Sequence, residues 1–375
     1  MNALVLGAGY AGLSLARRLE RALPDDVALT VVDDSPDHLV QHELHRLIRY
    51  PDLKESITVP LSEALSRAEV VTAHVESVDR DAQTVYLDDR TLDYDVLAVC
   101  LGAETAFYGL PGVTEYTTPL KRVRDAAEIR ADFRSLDVGD RALVCGAGLS
   151  GIQVAGELAA LGAAEGVGAE VRLIDREPTV APSFPEPFAV AVQSSLENIG
   201  IVVETDARVS EATADEVRFE NRDPIAYDQL VWTGGIRGPD AMDGDRPVVR
   251  ADLRLDDQTF VVGDAARVVD ADGEAVPASA AAAIREAKVA ATNVARSVEH
   301  LREGGEFAPR LERYRFDVPG WIVSVGDDAV AQVAGGVVTG AAARAMKATV
   351  GAGHLTSVGA VRQASDLVRE ELGGG

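Results

Sequence analysis

The chain has 375 residues, room for two or three domains with cores of their own, and carries 61 acids against 36 basic residues, a formal net charge of −25. That balance excludes a nucleic-acid binder, because no basic patch exists to neutralise phosphates. Only four basic residues are lysines and the acids are scattered throughout, as expected of a protein from a halophilic source, kept soluble where strong salt screens self-repulsion.

In chain order, the first stretch reads strand, glycine turn, helix, strand, acid. Asn2 to Leu6 is a short apolar run, and Gly7-Ala8-Gly9-Tyr10-Ala11-Gly12 is a G-x-G-x-x-G turn. Leu13 to Leu19 has helical spacing, and Val27 to Val32 reads as a second strand ending at Asp33. The glycines allow a tight turn, approach of backbone to a pyrophosphate, and close packing of helix on strand. The helix N-terminus offers free N–H groups to the phosphates, and an acid about 20 residues on meets a ribose hydroxyl. A bound dinucleotide is therefore expected here, with no leader segment ahead of the first strand. No apolar run reaches the ~18 residues of a spanning helix.

His38, His42 and His45 follow, spaced to share one helix face; without matching acids and cysteines they are expected to line the cofactor or pack, not to hold a metal. Glu69 to Val75, Thr84 to Leu87 and Thr91-Leu92 alternate like strands, and Tyr94 to Ala103 is a buried strand ending in glycine. Then the opening repeats. Arg141 to Cys145 leads into Gly146-Ala147-Gly148-Leu149-Ser150-Gly151, a helix, and the strand Val171 to Ile174 ending at Asp175. Tyr227 to Gly235 mirrors Tyr94 to Gly102, and Thr259 to Val262 ends in Gly263-Asp264. A helix with Pro277 near its first turn runs to about Leu301, and a linker at 302–306 follows. Beyond it, 321–325 and 329–338 read as short strands. Residues 329–365 contain no acid, and carry Arg344, Lys347 and Arg362, which marks a surface that is buried or faces a partner or membrane. Cys100 and Cys145 each end an apolar run ahead of a glycine and form no CxxC; a reducing compartment is expected.

Four landmarks in order, Gly7–Gly12 with Asp33, Tyr94–Gly102, Gly146–Gly151 with Asp175, and Gly263-Asp264, resemble the two-dinucleotide flavoproteins of the pyridine nucleotide oxidoreductase family. Within it, His38-Leu39 to His45, Gly151 to Leu158, Val231 to Gly235 and Pro277 to Ala280 are most similar to the type II NADH dehydrogenases, which oxidise NADH through FAD and reduce a quinone without pumping protons. The resemblance implies an α/β fold. An FAD-binding Rossmann-like domain (1–115 and 241–302) would hold an inserted NAD(P)-binding Rossmann-like domain (116–240), followed by a small C-terminal α+β region (303–375). FAD would sit on Gly7, Gly9, Tyr10, Ala11, Gly12 and Asp33, with Val71, Gly102, Gly263, Asp264, Ala278 and Ser279 around it. NADH would sit on Gly146, Gly148, Ser150, Gly151, Asp175 and Gly234. The helix after Pro277 would aim its N-terminus at the isoalloxazine.

The resemblance assigns no catalytic side chain and no metal. Gln153 stands where the family usually carries a glutamate near the nicotinamide, and Ala281 and Arg285 where it carries two glutamines beside the quinone. Asp175 implies NADH over NADPH, although Arg176 next to it offers a grip on a 2′-phosphate. The electron acceptor, a quinone, is expected between the helix after Pro277 and the 329–365 stretch, with Arg344 and Lys347 facing anionic lipid. The implied setting is cytoplasmic, loosely peripheral on the cytoplasmic membrane face, with a homodimer interface as the other use of that stretch. Disulfide and sulfide:quinone reductases need redox cysteines this chain lacks. A ferredoxin or rubredoxin reductase, and a flavin-bound redox-sensing partner with little turnover, remain the alternatives.

Overall fold

In the computed structural model, which describes residues 1–304, 307–318 and 320–373 with the side chains of 370–373 excepted, two parallel sheets of one design dominate. Strands covered on both faces need unbroken apolar runs, not alternation. Asn2–Leu6 is buried from Ala3 on, and Val96–Val99 is buried throughout.

The first sheet runs Thr259–Val261, Val96–Val99, Asn2–Leu6, Ala28–Asp33, Glu69–Thr72, all parallel. From the central Asn2–Leu6 the chain steps to one side twice, then crosses to the other. That reversal opens a crevice over the carboxyl end of the central strand, where Gly7 stands. The second sheet repeats the plan as Thr118–Pro119, Gln229–Trp232, Arg141–Cys145, Glu170–Ile174, Val202–Glu204, with its crevice at Gly146. Each sheet also feeds its returning strand through a three-stranded antiparallel meander. The first is Val75–Asp79, Thr84–Leu87, Thr91–Asp93; the second is Val209–Ala212, Glu216–Phe219, Ile225–Ala226.

Helix Tyr10–Ala22 packs along the long helix Ala280–Glu303, so the first crevice is backed by residues nearly 300 positions apart. The C-terminal piece is a meander, Gly320–Val325, Asp328–Val333, Gly336–Thr339, then helices Ala341–Ser357 and Val361–Gly373. It docks on helix Leu149–Glu165 at Gly156, where a Cβ would lie 2.4 Å from the backbone nitrogen of Gly326. A glycine inside a helix costs about 1 kcal/mol against alanine; here it lets the β-turn seat on the helix backbone.

Several sequence expectations are corrected. His38 lies in the short strand Asp37–Leu39, paired with Thr58–Pro60, while His42 and His45 lie on a 3-10 helix, Gln41–Ile48, so the three histidines share no helix face. Pro277 precedes the long helix instead of entering its first turn; Ser279 is the N-cap, its Oγ accepting from Ala282 N–H at 3.2 Å. The short strands read in 329–338 are Asp328–Val333 and Gly336–Thr339, paired as a hairpin, and two helices follow it. Gly305 and Glu306 of the expected linker lie outside the described residues.

Candidate functional site

The three glycines of each turn divide the labour alike in the two crevices. Gly7 has φ +90° and a Cβ on it would meet the Cys100 carbonyl oxygen at 2.4 Å; Gly12 would meet the Gly7 carbonyl oxygen at 1.7 Å. Gly146 has φ +109° and would meet Thr233 backbone at 2.7 Å; Gly151 would meet the Gly146 carbonyl oxygen at 1.8 Å. These four fix the turn and the helix-on-strand packing. Gly9 and Gly148 differ: nothing lies within 4 Å of a Cβ built on either, so each leaves open space over a helix N-terminus. Tyr10 and Ala11, and Leu149 and Ser150, begin those helices. This open space is the cradle a pyrophosphate needs.

Around the first cradle lies a cavity of about 490 Å³, lined by Gly7, Gly9, Asp33, Gly102, Lys121 and Arg122 among others. Asp33 accepts from Ala8 N–H at 2.5 Å and from Ser35 N–H at 2.9 Å. Burial pushes its carboxyl up to about 6, against the pull of those two N–H groups. Val71 is buried inside its strand, and Ala73, His74 and Val75 line the cavity in its place. Behind the cavity, Gly263 N–H donates to buried Glu286 at 2.7 Å, and burial raises that carboxyl to about 7. Asp264 is raised by burial too, with Lys121 and Arg246 opposing. Ala278 is exposed just ahead of the Ser279 cap.

Lys121 and Arg122 were not singled out from the sequence. Both come from the strand-end crossing into the second sheet. Lys121 is pushed down by burial, which Asp264 and Glu104 counter, and Arg122 pairs with Asp34 at 2.8 Å. They give an acidic chain two cations at the mouth of its first cradle. No local pattern marks them, since the contacts are made by segments far apart in sequence.

The second cradle opens on a cavity of about 310 Å³, with Ile174, Val209 and Trp232 among its apolar walls and Asp175, Arg176 and Arg208 at its polar end. Asp175 repeats Asp33: Ala147 N–H donates to one oxygen and Glu177 N–H to the other, the latter at 2.8 Å. Tyr108, also unmarked by the sequence, leans over this cavity from the first half of the chain. It has φ +55°, and its hydroxyl donates to the Gly234 carbonyl at 3.2 Å. Gly235 beneath it has φ +151°, a backbone that favours glycine, and a Cβ there would push the exposed Tyr108 ring aside. Gln153 is half-buried on helix Leu149–Glu165, and Arg285 Nη1 donates to the Ala281 carbonyl at 3.1 Å.

The acid-free C-terminal stretch turns part of itself inward. Lys347 is 4% exposed and its ammonium donates to buried Glu43 at 3.0 Å, so it does not face lipid. His354 meets His38 ring to ring, Nε2 to Nε2 at 3.0 Å, while His38 Nδ1 donates to the Ala8 carbonyl at 2.8 Å. Tyr10 hydrogen-bonds His42, and His42 Nε2 stands 3.4 Å from Glu43. A chain of polar groups, most of them buried, thus ties helix Ala341–Ser357 to the first glycine turn. Cys100 and Cys145 are free and buried; burial pushes the Cys145 thiol up to about 12 and the Cys100 thiol higher than its ordinary value.

Compared with known proteins, residues 1–287 match the pyridine nucleotide-disulphide oxidoreductase family. The chain is 30% identical to the demethylphylloquinone reductase NdbB of Synechocystis sp. over 319 residues, 77% of this chain and 78% of that one. It is 26% identical to the type II NADH:quinone oxidoreductase of Staphylococcus saprophyticus, over 92% of this chain and 93% of that one. Among solved structures, NDH2 of Plasmodium falciparum in complex with NADH superposes with a TM-score of 0.80 at 13% identity, covering 98% and 97% of the two chains.

Proposed function

Because the chain belongs to the pyridine nucleotide-disulphide oxidoreductase family, matched across residues 1–287, we propose that it is an FAD-dependent NADH:quinone oxidoreductase. The observation that carries this reading is the pair of matching cradles, each with an open central glycine over a helix N-terminus. FAD, bound at the first, supplies the two-electron chemistry between NADH at the second and a quinone. The protein's part is to bind and orient. Gly9 leaves room for the flavin pyrophosphate, and Lys121 and Arg122 offset its charge. Gly263, fixed by Glu286, shapes the floor beside it. The boundaries 1–115, 116–240, 241–302 and 303–375 are part of this proposal. Its test is NADH-driven reduction of a water-soluble quinone by FAD-loaded protein in strong salt, beside a ferredoxin and a rubredoxin as rival acceptors. Turnover with an iron–sulfur protein and none with quinone would replace the acceptor.

Thiol chemistry has no place in this scheme. A Cys100→Ala/Cys145→Ala variant is expected to keep its FAD and at least half of its quinone turnover. Complete loss of turnover at full flavin content would refute the quinone reading in favour of a disulfide or sulfide enzyme.

Peripheral attachment is supported by one face of helix Ala341–Ser357. Ala342, Ala345, Met346, Thr349, Val350 and Gly353 are exposed there and uncharged, on a protein of net charge −25. No helix among the described residues is long and apolar enough to cross a membrane. Arg344 turns to the inner side of this helix, beside Asp327 and Asp328, so the exposed Arg362 of the next helix is the cation left to add roughly 1 kcal/mol near anionic lipid. The result is loose, salt-weakened binding. Anionic vesicles should sediment the parent at low salt, and Met346→Asp/Val350→Asp should abolish this. A parent that stays in the supernatant and falls from dimer to monomer in that variant assigns the face to a second copy instead.

A further inference from the structure

The two cradles are close copies, and they differ where a ribose 2′-position would lie. After Asp33 comes Asp34, which Arg122 holds at 2.8 Å, so that rim carries an acid. After Asp175 comes Arg176, and Arg208 joins it from the turn entering the second meander; both line the 310 Å³ cavity. The expectation that Asp175 turns away a 2′-phosphate assumes a carboxylate aimed at the ribose. Here each of its oxygens accepts one backbone N–H, from Ala147 and from Glu177, which offsets part of the charge that would repel the phosphate. The two guanidiniums are held weakly by comparison. Arg176 meets neighbouring Glu177 at 3.2 Å and Arg208 meets Glu220 at 3.4 Å, with the arginine side chains 62% and 63% exposed. Ion pairs that open to water are worth about 0–1 kcal/mol, so both are available to a stronger anion. Guanidinium on phosphate is charge-assisted and often bidentate, roughly twice as strong as a neutral hydrogen bond.

We propose that the second cradle accepts NADPH as well as NADH, its 2′-phosphate gripped by Arg176 and Arg208. This rests on the dinucleotide reading of that cradle, and the test separates the two. The flavin-loaded protein is titrated calorimetrically with 5′-ADP and with 2′,5′-ADP, at the lowest salt that keeps it folded. The expected result is at least tenfold tighter binding of 2′,5′-ADP, with a steeper loss of affinity as salt rises. Arg176→Ser/Arg208→Ser should abolish that tenfold difference, with thermal midpoint and bound flavin showing the variant folded. If 5′-ADP binds the parent as well as or better than 2′,5′-ADP, the phosphate grip is refuted and the cradle stands. If neither binds, the dinucleotide reading of the cradle falls and the grip with it.

Discussion

Leucine in place of Gly9 is expected to give a folded, colourless protein with no turnover, and leucine in place of Gly148 a yellow protein that NADH no longer reduces. The argument is steric and local. Gly9 has φ −66° and Gly148 φ −70°, values any residue adopts, and a Cβ at either meets nothing within 4 Å. The apoprotein therefore accepts the side chain, at a cost of about 1 kcal/mol for a poorer helix N-cap. The open space it fills is where the pyrophosphate approaches the helix N–H groups. Displacing a phosphate from such a site loses several hydrogen bonds together, and 3 kcal/mol already means a fall of about 100-fold in affinity. Flavin absorbance per chain, the thermal midpoint and the rate of flavin bleaching by NADH read the outcome. A Gly9→Leu protein that purifies with a full complement of FAD would refute the first cradle. A Gly148→Leu protein reduced at the parental rate would refute the second.

These positions were legible because each makes a demand that only one residue type meets. Gly7 and Gly146 need a left-handed backbone, Gly12 and Gly151 need no Cβ, and Asp33 and Asp175 follow the last glycine of each turn by 21 and 24 residues, at the end of the second strand. All of that is local, and so is the apolar pattern of the parallel strands. What stayed hidden depends on the chain crossing between sheets. Lys121, Tyr108 and Arg208 are ordinary residues until a distant segment arrives, Gly234 for Tyr108 and Asp264 for Lys121. Lys347 misled for the same reason. Counted along the chain it is a cation in an acid-free stretch; in space it meets Glu43, 304 residues away. The resemblance implies a C-terminal α+β region but places no helix in it, because Ala341–Ser357 is rich in alanine, glycine and threonine, with no strong apolar stripe to set the helical period.

That buried pair yields the second large effect. Lys347→Met is expected to lower stability at pH 7 by about 3 kcal/mol, because it takes the closest cation from buried Glu43 and leaves the longer contact to Arg46 at 3.4 Å. Burial pushes the Glu43 carboxyl up; Lys347, with His42, His45 and Arg46, outweighs it and holds the pKa down at about 2. A carboxyl whose folded pKa lies below its ordinary 4.5 stabilises the fold fully above pH 4.5, and that contribution fades as pH falls toward 2. The gap between parent and variant should accordingly be widest at neutral pH and close below about pH 4.5, where Glu43 in the variant takes up its proton. His38 adds a loss common to the two proteins. Burial lowers its pKa from 6.5 to about 4, so its neutral ring favours the fold above pH 6.5 and costs about 3 kcal/mol by pH 4. His354, lowered by burial to about 3, acts in the same direction. Both proteins thus weaken in acid while the difference between them shrinks. Adding Glu43→Gln to Lys347→Met should recover most of the loss at pH 7, since the charge left without its lysine is then gone. Urea unfolding of the FAD-loaded proteins at pH 7, 5.5 and 4 measures all of this, with flavin release as a second signal, because His38 and Tyr10 tie the cluster to the glycine turn. A Lys347→Met protein with the parental midpoint at pH 7, or a gap that widens in acid, would show that the pair does not hold the C-terminal helix to the flavin cradle.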